Sequence, residues 1–124
     1  MQSRQPFTFR KQRLSFYYAG KGIASFFRFE RNARLHLLAA ILVVAASIYF
    51  RVSSTEAVLV TISIGSVWMA EMFNTCIEKL IDFISLEKLP VLGSIKDLSA
   101  GAVLISSIVA LVTGLIIFIP KIFP

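Results

Sequence analysis

A stripe of polar side chains lies within one of the most apolar stretches of this chain. It consists of Glu71, Asn74, Glu78 and Asp82. At about 100° per residue, these positions fall within roughly 80° of one helix face. An ionised side chain at the centre of a bilayer costs about 2.5–3.5 kcal/mol on insertion scales, so polar groups kept there indicate a functional site. Oxygen ligands suit Mg²⁺, which often bridges substrate phosphates. The stripe therefore predicts metal-assisted chemistry on phosphate groups at a membrane.

The elements that must position this stripe are predicted from blocks of apolar residues. The 124-residue chain is 56% hydrophobic and 16% charged, with a mean hydropathy of +0.77. Soluble domains of this size are rarely so apolar. Residues 98–120 carry no charge and are long enough to cross a bilayer as a helix. We expect an all-α integral membrane protein, a single domain over residues 1–124, with transmembrane helices at about 35–50, 57–78 and 98–120.

Basic residues predict the orientation of the chain in the membrane. Residues 1–34 contain eight Arg or Lys residues and the single acid Glu30, interleaved with aromatic side chains. This mixture is typical of an amphipathic helix that lies on the membrane surface. Lys and Arg favour the cytosolic side, which places residues 1–34 and a loop at 79–97 in the cytosol. The same topology accounts for the net charge of +6, so nucleic acid is not an expected partner.

With this topology, six of the seven acids gather at the cytosolic face of the membrane. They are Glu30, Glu71, Glu78, Asp82, Glu87 and Asp97. Such carboxylates are suited to holding Mg²⁺, and Lys96 with the basic N-terminal segment would meet the remaining phosphate charge. The pattern favours phosphoryl transfer to a lipid hydroxyl, which needs positioning, charge neutralisation and one group to accept a proton. Glu71, the deepest acid, is the candidate base, and Glu78, nearer the water, is the candidate metal ligand.

Other interpretations remain open for some of these residues. Asp82 and Glu87 also suit an ordinary solvated helix end. His36, near the start of the first span, favours a packing or hydrogen-bonding role over a catalytic one. A small proton-coupled transporter would also keep a membrane acid such as Glu71 as its proton-exchanging site. That alternative does not explain why so many acids lie on one side of the membrane, and a non-catalytic adaptor explains none of them.

The chain resembles the prokaryotic diacylglycerol kinase and undecaprenol kinase family over residues 11–121. The resemblance rests on two runs, Glu71-x-x-Asn74-Thr-Cys-Ile-Glu78-x-x-Ile-Asp82 and Lys96-Asp97-x-x-Ala-Gly-Ala-Val-Leu-Ile. It implies a small homotrimeric enzyme of the bacterial cytoplasmic (inner) membrane that crosses it several times. It also implies that MgATP is used at active sites shared between subunits, with the N-terminus and the active site on the cytosolic side. The chain has no phosphate-binding loop of the Gly-x-x-x-x-Gly-Lys type, which agrees with a family unrelated to soluble kinases.

The resemblance also assigns roles to residues. Glu71 matches the family's catalytic base and Asn74 the amide one turn further on, while Glu30 and Glu78 match metal-binding glutamates that also contact the nucleotide. The remaining positions expected at ATP are Lys11, Tyr18, Asp82, Glu87, Lys88, Lys96 and Asp97. Arg13 competes with Lys11 for one of these contacts. Glu87-Lys88 departs from the Tyr-His pair that relatives commonly have there.

Two acceptor lipids fit the resemblance. The expected reaction converts diacylglycerol to phosphatidic acid or undecaprenol to undecaprenyl phosphate. The run Glu30-Arg31-Asn32-x-Arg34-x-His36 and the tail Ile-Phe-x-Pro-Lys look more like undecaprenol kinases. A three-helix membrane protein sets no obvious limit on tail type, because lipid tails can remain in the bilayer while the hydroxyl enters the site. Both lipids therefore stay candidates.

Overall fold

The computed structural model describes residues 6–124, and every regular element in this part of the chain is an α-helix. The helices are α1 (Phe9–Phe29), α2 (Arg31–Tyr49), α3 (Ser54–Ile84) and α4 (Pro90–Ile122). The last three are long and apolar enough to cross a membrane. This confirms the predicted all-α membrane fold with three spanning helices after an N-terminal helix. Residues 1–5 of the predicted N-terminal segment lie outside the described residues.

The N-terminal helix α1 joins α2 through a single extended residue. Glu30 has φ −91° and ψ 121°, which ends α1, and its backbone N–H donates to the carbonyl of Phe26. Residues 9–25 of α1 are all exposed, whereas Phe26 is buried and the ring of Phe27 meets Trp68 of α3 edge to face at 5.0 Å between centroids. The C-terminal end of α1 is therefore the part that is attached to the membrane helices.

The connection between α3 and α4 is much shorter than the 79–97 loop that the sequence suggested. Helix α3 continues to Ile84 and α4 already begins at Pro90, which leaves residues 85–89 as the connection. The helix continues because Ile81 is still buried against its neighbours, and Pro90 occupies the first turn, where its missing N–H costs nothing. The number of consecutive apolar residues predicts which part of a helix lies in the bilayer. It does not predict the residue at which the helix ends.

The opposite turn, between α2 and α3, is fixed by a helix cap and an ion pair. The hydroxyl of Ser53 accepts from the backbone N–H of Glu56, whose carboxylate accepts from the backbone N–H of Ser53 at 2.7 Å. Arg51 adopts a left-handed conformation with φ 52° to make the turn. Lys121, in the last turn of α4, places Nζ 3.1 Å from the Glu56 carboxylate. This pair joins the end of α4 to the start of α3.

Packing between the helices is uneven. Helix α3 packs along α4 most extensively, α2 packs on α3, and α1 packs on α2. Only seven apolar residues of the described chain are buried, while large side chains such as Leu104, Ile105 and Ile116 are more than 60% exposed. Such surfaces suit a chain surrounded by lipid tails or by further copies of itself.

Candidate functional site

Glu71 is the one acid that the fold buries. It lies near the middle of α3 and is 5% exposed. Nε2 of His36, on α2, lies 3.0 Å from Oε1 of Glu71. An ionised carboxylate can only accept hydrogen bonds, so an ionised Glu71 requires the hydrogen of the imidazole to be on Nε2. With that tautomer, helix α2 supplies a donor to an acid that would otherwise lie in an apolar environment.

His36 was not among the residues assigned to the site from the sequence. Its expected hydrogen-bonding role at the start of the first span agrees with the contact to Glu71, but the sequence did not identify the partner. The two residues are 35 positions apart, so their meeting depends on how α2 packs against α3. The only available signal was compositional: His36 is the single histidine of the chain and interrupts an apolar run.

One turn along α3, Asn74 and Glu78 form the next part of the stripe. The amide nitrogen Nδ2 of Asn74 donates to Oε1 of Glu78 at 3.3 Å. The amide oxygen Oδ1 of Asn74 is buried and has no hydrogen-bond partner among the described residues. Buried acceptors are normally paired, so this oxygen is available to a ligand. Glu78 is exposed at the edge of the same face.

Glu30, at the junction of α1 and α2, contacts α3 next to the stripe. Its Oε1 lies 2.7 Å from Nζ of Lys79, the residue after Glu78 on α3. Lys79 therefore holds Glu30, one predicted metal ligand, next to the turn of α3 that carries Glu78, the other predicted metal ligand. Within residues 6–124, no group of three or more His, Cys, Asp or Glu side chains forms a ready metal cluster. The donor types nevertheless fit Mg²⁺, because two carboxylates and the unpaired oxygen of Asn74 are all hard oxygen ligands.

Most of the other predicted nucleotide residues lie near the ends of α3 and α4 that the 85–89 connection joins. Nζ of Lys96 on α4 lies 2.5 Å from Oδ1 of Asp82 on α3, which ties these helices together at the last residue of the stripe. Asp97 is exposed on the first turns of α4, and Glu87 and Lys88 are exposed in the 85–89 connection. The last two predicted residues, Lys11 and Tyr18, are exposed on α1. The described chain thus carries Glu71, Asn74, Glu78 and Asp82 along one face of α3, with Glu30 paired to Lys79 and Lys96 paired to Asp82.

Comparison with known proteins identifies the family. The sequence profile of the prokaryotic diacylglycerol kinase family matches residues 17–118. The chain belongs to this family. It is 36% identical over 107 residues to the undecaprenol kinase of Bacillus subtilis, covering 86% of this chain and 87% of that protein. It is 32% identical over 100 residues to the diacylglycerol kinase of Escherichia coli, covering 81% and 82%. It is 29% identical over 108 residues to the diacylglycerol kinase of Synechocystis, covering 86% of this chain and 62% of that longer protein.

Membership of this family makes the chain a membrane-embedded lipid kinase. The matched region contains the entire stripe and the Lys96-Asp97 pair, whereas Lys11 precedes it. The roles of the individual residues stay predictions. The contacts described above specify the partners of Glu71, Glu78, Glu30 and Asp82.

Proposed function

We propose that this lipid kinase transfers the γ-phosphate of ATP to the hydroxyl of a membrane lipid, undecaprenol or diacylglycerol, with Mg²⁺ as cofactor. The observation that carries the proposal is the buried carboxylate of Glu71, held by His36 and followed one turn later by an unpaired amide oxygen. A buried acid at membrane depth suits a substrate that arrives from the bilayer. The acids and lysines nearer the helix ends suit a nucleotide that arrives from the cytosol.

The reaction needs one proton acceptor and correct positioning. The lipid oxygen forms a bond to the γ-phosphorus as the bond to the bridging oxygen breaks, and ADP leaves with that electron pair. The hydroxyl proton passes to the carboxylate of Glu71. His36 keeps that carboxylate in place, and Asn74 offers its amide oxygen beside it. The family match favours this reaction over the proton-coupled transporter for which Glu71 alone would also suit.

Charge neutralisation is assigned to the groups around the stripe. Glu30 and Glu78 would hold Mg²⁺, which when bound offsets the negative charge of the phosphates. Lys96, anchored by Asp82, presents its ammonium at the cytosolic end of α3 and α4. Asp97, the 85–89 connection and the basic helix α1 supply the remaining contacts to ATP. The excess of Lys and Arg before α2 supports a cytosolic site in the bacterial inner membrane.

A homotrimer with shared active sites is part of the proposal. The exposed apolar surfaces of α2, α3 and α4 and the sparse contacts of α1 support assembly with further copies. Cross-linking of the purified protein in micelles tests the subunit number. A chain that remains monomeric while it is fully active would contradict shared sites.

The test of the function is transfer of radiolabelled γ-phosphate in detergent micelles with Mg²⁺, offering undecaprenol and diacylglycerol side by side. We expect a labelled lipid product with at least one of them, and well-folded protein that labels neither would refute the kinase reaction. Glu71→Gln should abolish turnover and keep nucleotide binding, whereas Glu78→Gln should also weaken Mg²⁺-dependent nucleotide binding. Glu56→Gln is the matched control, because it removes an acid from the far end of the same helix. Equal loss of binding in the two site variants would contradict the division of roles.

A further inference from the structure

Two polar side chains line a small, otherwise apolar cavity between α3 and α4. The cavity has a volume of about 350 Å³, and its lining contains Asn74 of α3 and Ser99 of α4 together with six apolar residues. Apart from Glu71, Ser99 is the only polar residue that the described chain buries. Oδ1 of Asn74 is itself buried and has no hydrogen-bond partner within residues 6–124. Because buried acceptors are normally paired, this oxygen requires a donor that the described chain does not supply.

Asn74 and Ser99 lie at the same level along the two helices. The lining of the cavity runs from Ala70 to Ile77 on α3 and from Ile95 to Ala102 on α4, and the short 85–89 connection makes these helices antiparallel. Asn74 and Ser99 are each near the middle of their run, so they line the cavity from opposite helices. The end of the cavity nearest the 85–89 connection is on the proposed cytosolic side, so water reaches it over a short distance.

We propose that this cavity binds a water molecule that bridges Oδ1 of Asn74 and Oγ of Ser99, and that Ser99 is thereby a positioning residue for Glu78. A buried water needs about two to four polar partners, and the amide oxygen and the hydroxyl supply two. One water occupies roughly 30 Å³ in the liquid, so the cavity has ample room for it. The inference rests on the proposed kinase function, in which Glu78 holds Mg²⁺.

The bridge positions Glu78 because an amide has different atoms on its two sides. Nδ2 of Asn74 donates to Oε1 of Glu78 at 3.3 Å, which leaves Oδ1 as the atom on the other side of the amide. A reversed amide would place Oδ1 against the Glu78 carboxylate, and neither group has a hydrogen to donate. A water that donates to Oδ1 stabilises the orientation in which Nδ2 faces Glu78. The amide oxygen has two lone pairs, so one remains for substrate or metal.

Three variants on α4 isolate the hydroxyl of Ser99. Ser99→Ala removes it, and Ala is the better helix former, so the variant should fold. Ser99→Thr keeps the hydroxyl and adds a methyl group for which the cavity has room. Ser106→Ala is the matched control, because the Ser106 hydroxyl lies outside this cavity and donates to the carbonyl of Val103 in its own helix at 3.0 Å.

The measurement is the binding of a non-hydrolysable ATP analogue as a function of Mg²⁺ concentration. Loss of one neutral hydrogen bond changes an equilibrium about two- to twelvefold, so Ser99→Ala should raise the Mg²⁺ concentration for half-maximal binding by that factor. Ser99→Thr should restore most of the affinity, and Ser106→Ala should bind as wild type does. The KM for the lipid should stay unchanged in all three variants. An unchanged Mg²⁺ dependence in Ser99→Ala, or an equal loss in Ser99→Thr, would overturn the proposal.

A double-mutant cycle tests whether Ser99 acts through Asn74. In an Asn74→Leu background, Ser99→Ala should have no further effect on the Mg²⁺ dependence, because the oxygen that the water contacts is gone. Additive effects would contradict the bridge, since Ser99 would then act independently of the amide. A role of Ser99 in packing alone would lower thermal stability and leave the Mg²⁺ dependence unchanged.

A crystal structure that resolves ordered water tests the site directly. The wild-type protein should show a water within hydrogen-bond distance of both Oδ1 and Oγ, and Ser99→Ala should lose it. A lipid tail or a side chain of another copy at that place would overturn the proposal.

Neither the structure nor the binding measurement requires turnover, so both separate this inference from the kinase function. A protein that holds the water and shows the Mg²⁺ shift but phosphorylates no lipid would refute the kinase and retain the water site. Phosphoryl transfer without the water or the shift would refute this inference and leave the kinase function intact.

Discussion

The contact between His36 and Glu71 leads to the most direct test of how the site works. Replacing His36 by Leu puts an apolar side chain of similar size near the start of α2 and removes the imidazole nitrogen 3.0 Å from the Glu71 carboxylate. The carboxylate is 5% exposed, so water replaces the imidazole poorly. His36→Leu should therefore leave Glu71 without a donor from α2 and misplace the proposed base.

The size of the effect follows from the kind of hydrogen bond. A hydrogen bond to a charged group contributes about 1.5–3 kcal/mol. At about 1.4 kcal/mol for each factor of ten, kcat should fall about 10- to 150-fold in His36→Leu if the bond is kept in the transition state. The KM for MgATP should change little, because His36 lines an apolar cavity between α2, α3 and α4, away from the Asp82–Lys96 pair.

Two further variants decide whether the loss comes from the hydrogen bond. His36→Gln restores a neutral N–H donor near the position of Nε2, and we expect it to recover most of the lost activity. Ser47→Ala, also on α2, removes a hydroxyl that bonds only to the carbonyl of Val43 in its own helix, and it should leave kcat unchanged. The assay is initial-rate phosphoryl transfer at saturating MgATP. Wild-type kcat in His36→Leu, or equal losses in the Leu and Gln variants, would refute a positioning role for His36.

Three further predictions concern the polar contacts around the bundle. In a double-mutant cycle, Lys79→Met and Glu30→Gln should show coupling in the KM for MgATP, and additive effects would mean that their 2.7 Å contact does not position Glu30. Lys121→Met should leave activity unchanged and lower the free energy of unfolding by about 1 kcal/mol or less, since the Glu56 pair is partly exposed; a large loss of kcat would contradict this. Asn74→Leu removes the unpaired buried oxygen, so it should impair turnover without lowering thermal stability, and a marked drop in the melting temperature would instead indicate a structural role.

The fold was largely predictable because membrane insertion depends on local composition. Apolar blocks located the three spanning helices, and aromatic and basic residues predicted the N-terminal helix. The helix ends were less predictable. They depend on caps such as Ser53 and on tertiary burial such as that of Ile81, neither of which is encoded in apolar length. The 79–97 segment was therefore predicted as a loop although most of it is helical.

For the site, periodicity along α3 was sufficient to group Glu71 with Asn74 and Glu78, since one helix fixes their spacing. Hydrogen-bond and ion-pair partners on other helices could not be predicted, because they depend on how the helices pack against each other. His36 was therefore not recognised as the partner of Glu71, nor Lys79 as that of Glu30. The roles of Lys11 and Tyr18 at the nucleotide stay predictions, because the positions of these two residues relative to the stripe depend on how α1 is placed.

That placement has a mechanical consequence. Helix α1 contacts the other helices near its C-terminal end, through Phe26, Phe27 and the neighbouring Glu30. The exposed part from residue 9 to residue 25 is about 24 Å long, so a small rotation at the Glu30 junction swings the far end by many ångströms. The junction about which α1 would rotate lies next to the stripe, because Glu30 contacts Lys79. A membrane, a neighbouring subunit or a nucleotide that binds the N-terminal end of α1 would therefore also affect the Glu30–Lys79 contact, next to Glu78.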